Sequence, residues 1–527
     1  MEKRLITAVV LSMVVLLLYP AIVAKFNPSI ATSDKGMLSQ LPENRDVIDK
    51  PTMIDSVIQE EAATASAASN IFNFNNDRYV INISDLGGGI RDIEIQDGIR
   101  PDTRLVENAL YGSSILSMEG KGALQGISSQ LFDIEEAAKK ISTDINGLTV
   151  KKSFVFLKDK YAISASINIK NNSDTKKFYA FSLVTASNIS NKDKFESRYL
   201  EADVLYSDGR FKKIGGPNFK DSNMLEQNNI TWIALKNKYY SIIAAPDFDV
   251  KSVFTRSKNK LPVIGLNVED ETLLPGEKKT YNVLFYIGPT DIEELEKVDS
   301  SFGKALNFGI FTSIGLVLLS VLKFFYGIFN NYGIAILLLT FCVSMLLFPL
   351  SFKSMQSMKN MQALQPQMEK LRKDYKDNPQ KLNKEMMELY RRHKVNPMGG
   401  CFPMLLQMPI FISLYQTLMR SVELKGASFL WIKDLSMPDR AFTLPTTLPF
   451  LGDAINLLPI LMIGAMIIQQ KLSQGKAAQT EQQKMMTSIM PVMFGFIFYS
   501  LPSGLVLYWL TNTLITSSMQ YMLLRKS

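Results

Sequence analysis

The residues of this chain best placed to do chemistry are amides, hydroxyls and an aromatic pair inside its last apolar run. With residues set about 100° apart on a helix, Tyr508, Trp509, Asn512, Thr513, Thr516 and Gln520 fall within about 140° of one another. Leu507, Leu510, Leu514 and Tyr521 take the opposite side; Thr511 and Ser518 spoil the pattern, and Leu505 interrupts the polar face. The chemistry of such a stripe is hydrogen bonding. In a membrane two readings are open: glue between neighbouring helices, or one wall of a wet groove.

Other chemistries find no residues. Cys342 and Cys401, the two cysteines, both lie in apolar runs, which excludes a disulfide framework. The single histidine, His393, stands in a basic stretch with no second histidine or thiol beside it, so no metal site is expected. There is no Gly-x4-Gly-Lys-Ser/Thr loop, no dinucleotide fingerprint and no nucleophile–base pair in an apolar run. No cofactor, no catalytic residue and no enzymatic activity are therefore expected. The net charge of +8 lies largely in loops between apolar runs, where Lys and Arg set topology. The phospholipid bilayer accounts for it, and direct nucleic-acid binding is not expected.

The elements that must position the polar stripe follow from hydropathy and charge. Lys3-Arg4 precede an apolar run, Leu5 to Ala24, that is long for a signal peptide and lacks a small-x-small site after it, so 1–25 is expected to be an uncleaved anchor with a cytoplasmic N-terminus. Residues 26–72, rich in Ser, Ala, Asn and Asp, read as a flexible tether. Alternating or β-branched runs such as "RYVINISDLGGGIRDIEIQ" and "KKTYNVLFYIG" predict an all-β sandwich over 73–304. Beyond it, spans are expected near 332–352, 399–419, 456–471, 486–501 and 503–524.

One more apolar stretch, 305–330, must not cross. The segment 353–398 is dense in Lys and Arg and should be cytoplasmic, whereas the loop near 421–455 balances Lys425, Lys433 and Arg440 with four acids and should face outward. Only one crossing fits between the anchored β domain and residue 353. Lys323 and the aromatics Phe324, Phe325 and Tyr326 make 305–330 an amphipathic helix in the outer interface. Six spans result, with both termini inside.

Within 353–398, Leu364, Met368, Leu371 and Tyr375 repeat at helical spacing, as do Leu382, Met386 and Leu389, with Asn378-Pro379 between them as cap and first turn. This predicts a helical hairpin. Its apolar faces hold Met355, Met358, Met361, Met368, Met386 and Met387, of which the last five are the candidate client contacts. They either pack the hairpin on itself or offer an adaptable thioether surface to varied apolar segments.

Four stretches carry a closer likeness: "FPLSFKSMQSMKNMQALQP" at 348–366, "NPMGGCFPMLLQMPIF" at 396–411, "SVELKGASFLWIKDLS" at 421–436 and "LPSGLVLYWLTN" at 501–512. With the order of elements, they resemble the YidC membrane protein insertase family in its long Gram-negative form. The resemblance implies a bacterial inner-membrane insertase and folding factor: a six-span α-helical protein with a large periplasmic β-sandwich, and a five-helix core over 331–527 with the cytoplasmic hairpin 353–398. It implies nascent membrane proteins as clients, the Sec translocon (SecYEG, SecDF) as partner, contact with the ribosome or the signal recognition particle pathway, and no ATP hydrolysis. It further implies a hydrophilic groove, lined here by Thr340, Ser344, Gln407, Gln470, Tyr508, Trp509, Asn512 and Thr516, with the hairpin methionines touching clients. Ser344 stands where the family usually has arginine, and its hydroxyl is expected to bond the carbonyl of Thr340. The family's long basic tail has no counterpart after "LLRKS". A multi-spanning solute transporter is the alternative, although no internal repeat supports it.

Overall fold

The structure, a computed structural model, describes residues 70–527 apart from 97–103, 107–112, 138, 188, 190–198, 217–218, 220–221, 226–228, 259–260, 307–310, 377, 394, 396–401, 449–451, 475–480 and 526–527. The expected anchor over 1–25 and nearly all of the tether lie outside the described residues.

Between residues 71 and 289 the described strands form sheets of nine, five and four strands. Strand Ala162–Asn171 of the largest sheet pairs antiparallel with Leu148–Phe156 on one side and Lys278–Pro289 on the other. In the five-stranded sheet, Lys177–Ser187 pairs with Leu261–Leu273. One hydrophobic core draws on all three sheets: Trp232, Tyr281 and Phe285, then Leu183 and Leu266, then Ile81 and Ile93. This is the expected sandwich. Alternation along Leu148–Phe156 sends Leu148, Val150 and Phe154 inward. Lys152 takes an inward position too, and its buried ammonium donates to the carbonyls of Gly87 (3.0 Å), Gly88 (2.8 Å) and Leu116 (2.9 Å). Gly88 has φ +56°, and a Cβ there would meet Ile141 and Phe132 at 2.9 Å, so the turn has to be glycine.

Among the described residues the α-helices are α1 (Ile292–Val298), α2 (Thr312–Phe329), α3 (Tyr332–Ala363), α4 (Gln365–Asp374), α5 (Pro379–Arg392), α6 (Phe402–Arg420), α7 (Leu457–Gln474), α8 (Glu481–Tyr499) and α9 (Ser503–Arg525). Helix α3 runs beyond residue 352, where the span is expected to end, as far as Ala363, because Lys353 and the residues after it keep helical propensity once the apolar run ends. Asn378 caps α5, its side chain accepting from Lys381 N at 3.1 Å, and Pro379 is the first helical residue. A small hairpin, Phe442–Leu448 with Gly452–Ile455, sits in the loop between α6 and α7. Prolines interrupt three of the long helices: Pro349 in α3, Pro409 in α6 and Pro491 in α8.

The bundle is apolar outside. Phe341, Leu346, Phe348, Ile460, Ile468, Ile489, Phe496, Leu514 and Tyr521 are all exposed. By length and apolarity α2 and residues 332–361 of α3 could each cross a membrane.

Polar contacts join the β domain to the helical region along one seam. Arg420, at the end of α6, reaches Glu201 (3.3 Å), which Lys213 (2.9 Å) and Lys236 (3.5 Å) also contact. Burial alone would raise the Glu201 pKa, but the charges of Arg420, Lys236 and Lys213 outweigh it and hold the carboxyl down at about 2. Lys323 of α2 meets Asp291 (2.5 Å), the cap of α1, and Glu423 (3.2 Å), just beyond α6. Tyr239 OH donates to Ser436 Oγ at 3.0 Å, and Lys238 Nζ to Ser436 O at 3.3 Å.

Candidate functional site

A cavity of about 410 Å³ opens among α3, α6, α7, α8 and α9. Its polar lining consists of hydroxyls and amides: Ser344, Ser351 and Ser354 from α3, Gln407 from α6, Gln469 and Gln470 from α7, and Asn512, Thr513, Thr516 and Gln520 from α9. Among the described residues, none that lines it carries a charge. Methionines fill much of the rest, with Met355, Met408, Met466, Met490 and Met519 drawn from all five helices.

The stripe on α9 explains itself residue by residue. Trp509 is wedged among Phe411 (ring centroids 4.9 Å apart), Phe498 (5.2 Å) and Phe494 (6.0 Å), which locks α9 against α6 and α8. Asn512 Oδ1 accepts from Ser344 Oγ at 3.2 Å and so ties α9 to α3. The two hydroxyls that spoil the pattern are satisfied within their own helix. Thr511 Oγ1 donates to Leu507 O (2.7 Å) and Ser518 Oγ to Leu514 O (2.8 Å). They can sit off the polar face without leaving an unpaired group in an apolar setting.

Six of the eight groove residues expected from the sequence line this cavity: Ser344, Gln407, Gln470, Trp509, Asn512 and Thr516. Thr340 and Tyr508 do not. Both are fully buried. Thr340 Oγ1 turns back to Ile336 O at 2.6 Å, and the Tyr508 hydroxyl is engaged by the Gln407 side-chain amide. Tyr508 thus stands one layer behind the wall and orients a residue that is in it. Ser344 also differs from expectation, since its hydroxyl crosses to Asn512 rather than bonding its own helix; the carbonyl-bonded hydroxyl is that of Thr340, one turn earlier.

Sequence reasoning missed Ser351, Ser354, Gln469 and the lining methionines Met408, Met466, Met490 and Met519, and assigned Met355 to the hairpin rather than to the cavity. A signal was present. Ser344, Leu347, Ser351, Ser354 and Met355 keep i, i+3, i+7, i+10, i+11 spacing and share one face of a helix. In the hairpin, Tyr390 OH contacts Met368 Sδ at 3.7 Å, so Met368 packs between α4 and α5, whereas Met387 is 60% exposed. Met361 and Met386 are half-buried, and the side chain of Met358 lies outside the described residues. Among the described residues no group of three or more His, Cys, Asp or Glu side chains could hold a metal ion.

A helical bundle with an apolar exterior and an uncharged polar hollow, joined to a β-sandwich, defines a membrane-embedded protein that can keep polar groups at bilayer depth. The sequence matches the family described as the 60Kd inner membrane protein over residues 324–527 and the YidC periplasmic domain over 72–321. Among relatives, the membrane protein insertase YidC of Geotalea daltonii is 31% identical over 99% of this chain and 98% of its own length. That of Pelobacter propionicus is 39% identical over 71% of this chain and 69% of its own. A crystal structure of an active YidC insertase with its first transmembrane domain resolved matches 89% of this chain and 98% of that one, with 20% identity and a TM-score of 0.39. The chain belongs to the YidC family of membrane protein insertases, and its place is the inner membrane.

Proposed function

We propose that the cavity is where hydrophilic stretches of newly made membrane proteins are held while their apolar segments pass into lipid. The observation that carries this reading is the lining itself, polar on four of the five surrounding helices, without a charge among the described residues, and enclosed by apolar outer faces. Such a hollow offers hydrogen bonds at membrane depth without the cost of burying an unpaired charge. Ser344, Gln407, Gln470, Asn512 and Thr516 would meet the client, with Trp509 holding the wall and Tyr508 and Thr340 supporting it from behind. Met387 and the neighbouring hairpin methionines would receive apolar segments on the cytoplasmic side.

The topology proposed with it has six spans, both termini cytoplasmic, the sandwich periplasmic and α2 in the outer interface. The Lys323 contacts support the placement of α2. They hold the middle of that helix beside Glu423, which follows the outer end of α6, and beside Asp291 of the β domain. Action alone on small clients and with SecYEG and SecDF on larger ones, with ribosome or signal recognition particle contacts, belongs to the same proposal. Reconstitution tests it: the purified protein in liposomes should insert a small client with no nucleotide present. Equal insertion into protein-free liposomes, or an absolute need for ATP, would remove the support.

A further inference from the structure

The polar groups of the cavity are ordered along a helix axis. Asn512, Thr516 and Gln520 stand at four-residue intervals on α9, and all three line the cavity. At about 1.5 Å rise per residue these rungs are about 6 Å apart. An extended chain rises about 3.3 Å per residue and turns its backbone groups to the same side every second residue, a repeat of about 6.6 Å. The two repeats match closely enough for three successive pairings.

Gln470, which also lines the cavity, supplies an independent observation. Its Oε1 is shielded from solvent and has no hydrogen-bond partner among the described residues. A shielded acceptor with no donor is unfavourable until one arrives. A helical guest has no backbone N–H to give over most of its length, because its own carbonyls consume them. An extended guest has one at every second residue.

Resting on the groove reading above, we infer that the groove holds its client by the backbone, in extended conformation. The α9 rungs meet every second client residue, and Gln470, once its amide turns into the cavity, accepts a client N–H. Thr516 Oγ1 gives its proton to Asn512 O at 2.7 Å and so accepts a client N–H, whereas Asn512, whose Oδ1 is taken by Ser344, offers its amide N–H groups to a client carbonyl. Ser344 holds the first rung in place through its bond to Asn512. A grip on the backbone is indifferent to sequence, which suits a single cavity to clients of many sequences. The substrate class is then an uncharged or weakly charged polar segment free of regular structure.

Crosslinking registers tell the two guest conformations apart. In full-length protein with Cys342 and Cys401 replaced, Thr516→Cys and Gln520→Cys are prepared separately and reconstituted. A small client carrying single cysteines walked along its hydrophilic segment is added, and disulfides are formed with an added oxidant during insertion. The expected result is that the client position of strongest crosslinking shifts by two residues between the variants. A shift of four marks a helical guest, and an unshifted or flat profile marks an unordered one; either overturns the inference. Gln470→Leu should slow insertion about fivefold, the worth of one hydrogen bond. Proline at the client residue facing Gln470 should slow the parent to the same extent and slow Gln470→Leu no further. Unchanged insertion by Gln470→Leu would overturn the acceptor role. Insertion by the parent with no crosslink at either position would refute the backbone grip alone. Failure of the parent to insert any client would strike the groove reading beneath it.

Discussion

Removing one oxygen from Tyr508 separates a residue behind the wall from a residue in it. The ring is fully buried, and its hydroxyl is engaged by Gln407, which lines the cavity. Tyr508→Phe keeps the ring and frees the Gln407 amide, which the wet cavity can still satisfy. The loss is therefore one neutral hydrogen bond without an orphaned partner, about 1 kcal/mol, or about fivefold in a rate that depends on the orientation of Gln407. Tyr508→Ala instead empties a buried aromatic site and should cost about 3–5 kcal/mol, enough to impair folding. Gln407→Leu removes the other end of the bond, so adding Tyr508→Phe to it should cost nothing further. Insertion rates in proteoliposomes, with thermal denaturation of the same purified variants, make the comparison. Two results would refute the reasoning. One is a folded Tyr508→Phe protein with insertion as poor as that of Tyr508→Ala, which would put the hydroxyl on the client. The other is a double variant whose defect equals the product of the single ones.

Three further outcomes are expected. Cysteines replacing Lys304 and Asn330, in a background without Cys342 and Cys401, should both react with a membrane-impermeant reagent from the outside; reaction of one only from the cytoplasm would make 305–330 a crossing helix. Val at Met358, Met361, Met386 and Met387 should impair insertion of several clients with helicity unchanged, because β-branching stiffens the side chain; Met368→Val should act mainly on hairpin stability, and the opposite ranking would favour simple packing. Glu201 has a carboxyl held at about 2 against an ordinary 4.5, so it contributes about 3 kcal/mol. That contribution is complete above pH 4.5 and is lost as pH falls toward 2, so the stability difference between the parent and Glu201→Gln should be flat near neutrality and shrink in acid; a difference that grows on acidification would reverse the assignment.

Where a single periodicity decides, the sequence was readable. The stripe on α9 and the alternation of Leu148–Phe156 both reappear in the structure, because a helix and a strand leave little freedom once one face is committed. Asn378-Pro379 worked for the same reason, a local signal with a local effect. Depth within the bundle was not readable. Thr340 and Ser344 are one turn apart and both hydroxylic, yet one turns to its own backbone and the other to Asn512. That choice depends on how closely α9 approaches, which is a property of packing and not of α3. The lining methionines were hidden because a thioether reads as apolar whether it faces lipid, core or cavity. The seam from Glu201 to Arg420 joins residues more than two hundred positions apart, and no local pattern announces it.

The three prolines have a mechanical consequence. Pro349, Pro409 and Pro491 each adjoin a residue of the cavity wall: Leu350, Met408 and Met490. Each removes one rung of the helical ladder at cavity depth, where bending therefore meets less resistance than in the turns above or below. Three of the five enclosing helices share this weak point, so the bore of the bundle is its softest dimension, and its helices can swing apart there without surrendering the hydrogen bonds at their ends.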